Sequence, residues 1–306
     1  MATAPILLDK PLIDDLLASK ETFIFDCDGV LWRQNDVYPR TAELIKYLRK
    51  LGKKIFFVSN NNTKARRQYL EKFYRLGIDA KEEEIYSSGY AAAYYIKHVA
   101  KLQGKVYVIG SPGLVEELEK ENISHIGSGP DEVKFDEIGK DEGVTLDPEV
   151  TCVLHGFDSH YNYNKIRKAV NYLAKDSVQF IATNKDMTFP SAGNFIFPGT
   201  GCLVTATEVS AGRKATIVGK PGTLIMDCIV HQHNIDPRKA CVFGDNICTD
   251  IEFGNRCSTS TVLVLTGVSS LADVESERKS SCGKPNMKIP EFYIDGVTEF
   301  YNLTQK

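Results

Sequence analysis

The sequence predicts an α/β protein: a Rossmann-like, doubly wound parallel sheet into which a smaller α/β unit is inserted. Three observations predict it. Short apolar runs rich in β-branched and aromatic residues alternate with segments of helical periodicity, the pattern of strands buried on both faces and joined by crossover helices. Several of these runs stop abruptly in acids, amides or a lysine. A stretch over about 105–205 runs through its own strand–helix alternation before the first pattern resumes.

In chain order, residues 1–20 read as a lead-in with a short helix around 12–17. Thr22 to Phe25 is the opening strand and ends in Asp26-Cys27-Asp28-Gly29. Alternate residues of a strand point the same way, so Asp26 and Asp28 start on one face, and Gly29 lets the chain turn sharply. Taken alone, the stretch is equally a solvated acidic turn. Residues 39–51 carry Leu44, Ile45, Leu48 and Leu51 at helical spacing, with Gly52 as C-cap. A second strand, 54–58, ends in Ser59-Asn60-Asn61-Asn62, and helices follow over 64–76 and 87–102.

The inserted unit reads as strand 106–110, helix 114–120, strand 151–154, helix 163–173 and strand 179–183. A Gly/Asp/Glu-rich surface loop fills 127–148. The domain reading is 1–104 for the first part of the core, 105–205 for the insertion and 206–306 for the second part. Within that last part, 217–221 reads as a short strand and turn resuming the first pattern. A helix over 224–233, strands 240–243 and 261–265 and a last strand near 292–294 follow.

Composition narrows the function. The 306 residues are 42% hydrophobic and 25% charged, with a net charge of −3 and a pI near 6.1. Nothing there calls for nucleic acid or an anionic membrane as partner. No apolar run approaches 18 residues, and 1–20 lacks the apolar core of a signal peptide, so a cytoplasmic location is expected. Eight cysteines without a Cys-x-x-Cys pair argue against zinc and against a disulfide framework. The Asn-x-Ser/Thr triplets at Asn61, Asn122 and Asn302 carry no meaning in that compartment.

Polar groups collect at four strand ends: Asp26 with Asp28, Ser59-Asn60-Asn61, Lys220, and Asp245 with Asp250. Carboxyl ends of a parallel sheet share one edge, so groups about 220 residues apart can converge. Carboxylates suit a hard Mg²⁺, while a hydroxyl, amides and an ammonium suit phosphate oxygens. One carboxylate can act as nucleophile and the second can carry a proton. Separately, Gly-Lys-Pro, Ser-Asn-Asn and Gly-Asp-Asn are ordinary turns or caps. Their order and strand-end placement have no packing explanation.

Asp-x-Asp-Gly-Val, Ser-Asn-Asn, Gly-Lys-Pro and Gly-Asp-x-x-x-x-Asp, in this order, resemble the four motifs of the haloacid dehalogenase superfamily of phosphatases. The insertion is similar to the large α/β cap of one branch. The nearest resemblance is to the eukaryotic 4-nitrophenylphosphatase, phosphoglycolate phosphatase and pyridoxal phosphatase group, and it spans about 22–293. Matching segments include Ala182-Thr183-Asn184-Lys185-Asp186 and Pro198-Gly199-Thr200-Gly201.

The resemblance implies a Mg²⁺-dependent hydrolase of small-molecule phosphomonoesters. It makes Asp26 the nucleophile and Asp28 the general acid/base. Mg²⁺ is held by Asp26, the Asp28 carbonyl and Asp245, and Ser59 and Lys220 bind the phosphoryl group. Asn60 and Asn61 line the phosphate or leaving group, and Asp250 orients Lys220 or a metal-bound water. The cap closes over the site and, in the family, carries a homodimer contact.

Asn246 stands where relatives have arginine, and Cys248 where a small acid or amide is usual. Phe189 falls where vitamin B6 phosphatases place a cap histidine, which favours phosphoglycolate or broad aryl and alkyl phosphates over pyridoxal phosphate. A pyridoxal or protein phosphatase of the same group is the rival reading. An oxidoreductase lacks Gly-x-Gly-x-x-Gly after the first strand, and the intact polar set argues against a silent binding module. His231 and His233 do not share a helix face, and Cys27 reads as a buried small residue. Tyr94, Tyr95, Phe73 and Tyr74 read as packing, and Lys64 and Arg66 as a solvated helix face or contacts to a substrate carboxylate.

Overall fold

The computed structural model describes residues 4–132, 144–189, 195–281 and 285–306. The chain divides into two compact units, one of residues 1–59, 67–86 and 220–306, the other of residues 60–66 and 87–219.

The first unit is a seven-stranded sheet in the order Ile6–Leu7, Phe292–Ile294, Ser260–Val264, Ala240–Gly244, Thr22–Phe25, Lys54–Ser59, Ile85–Ser87. The first six pair in parallel, with Phe25 beside Phe57 on one side and Phe243 on the other. Alternation along the strands sorts the core by face. Phe23, Phe25, Ile55, Phe57 and Phe243 join Ile13, Leu44, Leu48, Phe73 and Phe300 from the helices Lys10–Ser19, Thr41–Lys50, Arg66–Arg75 and Val297–Thr304. Beside Leu263, Ile247, Ile251 and Val274 form a separate cluster. The opening strand therefore lies inside the sheet, paired on both sides and buried throughout, as the run Thr22 to Phe25 predicts.

The second unit is a five-stranded parallel sheet in the order Thr216–Ile217, Gln179–Ala182, Val150–His155, Lys105–Ile109, His125–Ile126. Helices Pro112–Lys120, Tyr163–Leu173 and Thr200–Ala211 accompany it. Two charges, Lys165 and Asp158, are buried there as a pair.

Two sequence readings change here. The strand read as resuming the first pattern at 217 pairs Thr216 and Ile217 with Ile181 and Ala182 of the second sheet. The second unit thus runs on to 219, past the 205 expected, and it starts by 87 because the helix Ser88–Tyr94 groups with it. The helix read over 87–102 is α-helical only to Tyr94 and closes in a wider, π-type turn over Tyr95–Val99. Of the loop read over 127–148, residues 133–143 lie outside the described residues, as does Cys282. Among the described residues no helix is long and apolar enough to cross a membrane.

Candidate active site

Asp26 follows the central strand directly, and its N–H donates to Phe243 O at 2.9 Å, continuing the ladder by one residue. Its Oδ1 takes the ammonium of Lys220 at 2.5 Å. Burial raises the Asp26 carboxyl well above its ordinary range. Lys220 opposes the rise, and the charges of Asp250 and Asp245 add to it.

Lys220 is 3% exposed. Besides Asp26, its Nζ meets Asp250 Oδ1 at 2.6 Å and donates to Val58 O at 3.1 Å. Burial works to lower this ammonium, and the carboxylates of Asp250 and Asp26 outweigh it, so its pKa rises. Lys220 is not carried by a strand of the first sheet, contrary to the sequence reading. It comes from the turn three residues beyond Ile217, the last residue of the second sheet's edge strand.

Asp245 follows the strand Ala240–Gly244, and its Oδ2 accepts the Val268 N–H at 2.8 Å. Burial, then the neighbouring Asp250, pushes its carboxyl up to about 7. Two glycines make room for it. A Cβ on Gly29, which has φ +87°, would stand 2.3 Å from Asp245 Oδ2, and one on Gly267 would stand 1.8 Å from the same atom. Asp250 directs Oδ2 at the N–H groups of Asp245 and Asn246, at 3.2 and 3.1 Å, so its two oxygens tie the loop to Lys220. Asn246, the departure from the family arginine, caps the same turn by accepting the Cys248 N–H at 2.9 Å.

Oxygens of Asp26, Asp245 and Asp250 lie within 4.8 Å of one another, the cluster of this kind found among the described residues. Three buried or half-buried carboxylates against one ammonium leave negative charge uncompensated, and all donors are hard oxygens. That donor set fits a hard divalent cation such as Mg²⁺. Asp250 spends its oxygens on Lys220 and two N–H groups. That leaves Asp26 and Asp245 as the carboxylates that could hold such an ion.

Ser59 ends the adjacent strand, nearly buried, with Oγ 3.1 Å from the Tyr69 hydroxyl. Asp28 is more open, its side chain 45% exposed. Its Oδ1 accepts the indole N–H of Trp32 at 2.8 Å and lies 3.6 Å from Lys72 Nζ. Cys27 between the two acids is buried in the hydrophobic core, as read.

Asn60 and Asn61 open the second unit. The Asn60 amide donates to Asp186 Oδ1 at 3.1 Å, and its carbonyl takes the Ser88 hydroxyl at 2.6 Å and the Asn184 amide. Asn61 Oδ1 takes the N–H and hydroxyl of Thr63 at 2.9 and 2.7 Å, a local cap. Arg66 is not a solvated face residue. It pairs with buried Glu117 at 3.3 Å, and its guanidinium lies 3.4 Å from the centroid of the Tyr90 ring. Tyr94 and Phe73 pack as expected, whereas Tyr74 is exposed.

Sequence reasoning missed Trp32 and Lys72. The chain's only tryptophan standing four residues after Asp28 was a signal for the first. The second is visible only once the helix Arg66–Arg75 is seated.

Comparison with known proteins gives the family. A model of haloacid dehalogenase-like hydrolases matches residues 23–124, and a HAD-hydrolase-like model matches 217–298. Glycerol-3-phosphate phosphatase of Rattus norvegicus is 40% identical over 299 residues, 95% of this chain and 92% of the relative. The chloroplastic phosphoglycolate phosphatase 1A of Arabidopsis thaliana is 38% identical over 292 residues, 94% of this chain and 78% of the relative. The solved structure of a p-nitrophenyl phosphatase from Archaeoglobus fulgidus aligns with a TM-score of 0.76 at 29% identity, covering 94% of this chain and all of that one.

Proposed function

The chain belongs to the haloacid dehalogenase-like hydrolases and is a phosphoric monoester hydrolase, and we propose that it hydrolyses small-molecule phosphomonoesters through an aspartyl-phosphate on Asp26. The observation that carries this reading is the shared contact of Lys220 with Asp26 and Asp250, beside Asp245, at one end of the first sheet.

Each residue then has a role. An Asp26 oxygen attacks phosphorus in line, and the bond to the ester oxygen breaks with its electron pair staying on that oxygen. Asp28 supplies the proton that the leaving oxygen takes up. Water attacks the phosphoryl group next, giving its proton back to Asp28, while the pair of the cleaved P–O bond returns to the Asp26 carboxylate. Lys220 and the Ser59 hydroxyl bind the oxygens of the transferring group and balance their charge. Asp26, the Asp28 carbonyl and Asp245 would hold Mg²⁺. When bound, that ion supplies positive charge that favours ionised Asp26 and draws electron density from the phosphoryl oxygens.

The substrates named for the relatives are short or simple monoesters, and Phe189 in place of a histidine argues in the same direction. Phosphoglycolate, glycerol 3-phosphate and 4-nitrophenyl phosphate are therefore the expected substrates, with pyridoxal phosphate and phosphopeptides as the compounds to compare. A cytoplasmic location and a homodimer are carried as further proposals, the second checked by light scattering. The central test measures 4-nitrophenyl phosphate hydrolysis with and without Mg²⁺ for wild type and Asp26→Asn. Equal rates in the two proteins would remove the mechanism.

A further inference from the structure

Asp28 is held by one oxygen only. Its Oδ1 accepts the Trp32 indole N–H at 2.8 Å and faces Lys72 Nζ at 3.6 Å, whereas Oδ2 accepts no hydrogen bond from the described residues. We propose that Trp32 and Lys72 are positioning residues for Asp28: they anchor Oδ1 and leave Oδ2 as the oxygen that passes a proton to the leaving group. This rests on Asp28 being the proton carrier, as proposed above.

The anchor is buried where the anchored group is not. Trp32 is fully buried, edge-on to Phe73 at 4.9 Å between ring centroids, and Phe73 stacks at a tilt on Phe57 at 4.4 Å. The backbone between anchor and acid is closed by Gly29 N–H to Trp32 O at 2.8 Å and Trp32 N–H to Cys27 O at 3.3 Å. Lys72 is 8% exposed, and its ammonium sits 4.1 Å from the centroid of the indole, where the negative ring face attracts it. Asp28, by contrast, has nearly half its side chain open to solvent.

A buried indole needs an acceptor for its N–H, and a backbone carbonyl would serve packing equally well. Here the acceptor is the carboxylate with chemical work to do. An open carboxylate left to itself samples several rotamers, and only some present an oxygen to the ester. One hydrogen bond and one ion pair on Oδ1 restrict that freedom before substrate arrives.

The readout is leaving-group dependence. Phenolate is a poorer leaving group than 4-nitrophenolate, while the two esters are of nearly the same shape. A misplaced proton donor therefore harms phenyl phosphate more. The parameter to use is kcat/KM, which covers steps through the first P–O cleavage. In Trp32→Phe, and to a smaller degree in Lys72→Met, kcat/KM for phenyl phosphate is expected to fall about tenfold more than for 4-nitrophenyl phosphate. Lys72→Arg is expected to restore most of the ratio.

A purely structural role would lower both esters alike, and an unchanged ratio in both variants overturns the inference. If Trp32→Phe does not fold, as judged by its unfolding midpoint, the ratio in Lys72→Met decides. Asp28→Asn separates the two levels. Should it lower both esters equally, the proton-carrier reading itself fails. Should it discriminate while Trp32→Phe and Lys72→Met do not, only the positioning fails.

Discussion

Asp250 and Lys220 meet at 2.6 Å with both side chains almost fully enclosed, and the other oxygen of Asp250 is spent on the N–H groups of Asp245 and Asn246. The pair couples the loop that carries one candidate metal ligand to the ammonium that would hold the phosphoryl group. Asp250→Asn keeps the shape and removes the charge. Turnover of 4-nitrophenyl phosphate is expected to fall by about 10–100-fold, measured as kcat at saturating Mg²⁺. Wild-type turnover in this variant would show that Lys220 needs only Asp26 to hold it.

The approach of Gly267 to Asp245 gives a steric prediction. In Gly267→Ala the new Cβ would stand 1.8 Å from Asp245 Oδ2, so the carboxylate must move. A displacement near 1 Å costs about 10²-fold in rate. Gly52→Ala is the control. No atom lies within 4 Å of a Cβ there and φ is +71°, so about 1 kcal/mol of stability is lost with turnover kept.

Metal binding should be visible without catalysis. Mg²⁺ at about 100 times its dissociation constant is expected to stabilise the protein by about 2.7 kcal/mol, read as a raised unfolding midpoint that a chelator reverses. Asp245→Asn should abolish the rise. Because like-charge repulsion is relieved in that variant, its own midpoint without metal should not fall below that of wild type by more than about 1 kcal/mol. An undiminished Mg²⁺ response in the variant would place the ion elsewhere.

In the second unit, burial lowers the His155 imidazole to about 4. The neutral ring donates from Nδ1 to Gly156 O at 3.0 Å and accepts the Thr207 hydroxyl at Nε2, 3.2 Å away. Above the unfolded pKa of about 6.5 both states are neutral and the group adds no pH dependence. Below it the unfolded chain binds the proton first, so stability is lost as pH falls from about 6.5 towards 4. About 2 kcal/mol should be gone by pH 5. Urea midpoints at pH 7.5 and 5 for wild type and His155→Gln isolate it: the wild type should lose more.

The parts legible in the sequence are those fixed by local pattern. Thr22 to Phe25 is apolar on both faces because its strand is central, so Asp26 and Asp28 stand out as the point where burial ends. The same reasoning finds Ser59 and Asp245. Lys220 was read in the right cluster on the wrong strand, because Thr216–Ile217 is too short for its sheet to be told from its composition. The helix Thr200–Ala211 was missed: its threonines are spread around the helix and Gly201 sits in its first turn, so no apolar stripe marks it. Arg66 was misread because its partner, Glu117, is 51 residues away and its helix looks solvated in isolation.

The sheet order also sets a timetable. Thr22–Phe25 is paired on one side by Lys54–Ser59 and on the other by Ala240–Gly244, which the ribosome delivers about 215 residues later. At about 5–20 residues per second, that edge stays unpartnered for roughly 10–40 s of synthesis. During that time Phe23 and Phe25 lie on an open strand edge of the kind that pairs with other chains. The strand that carries the candidate nucleophile is therefore also a segment of the nascent chain in need of shelter.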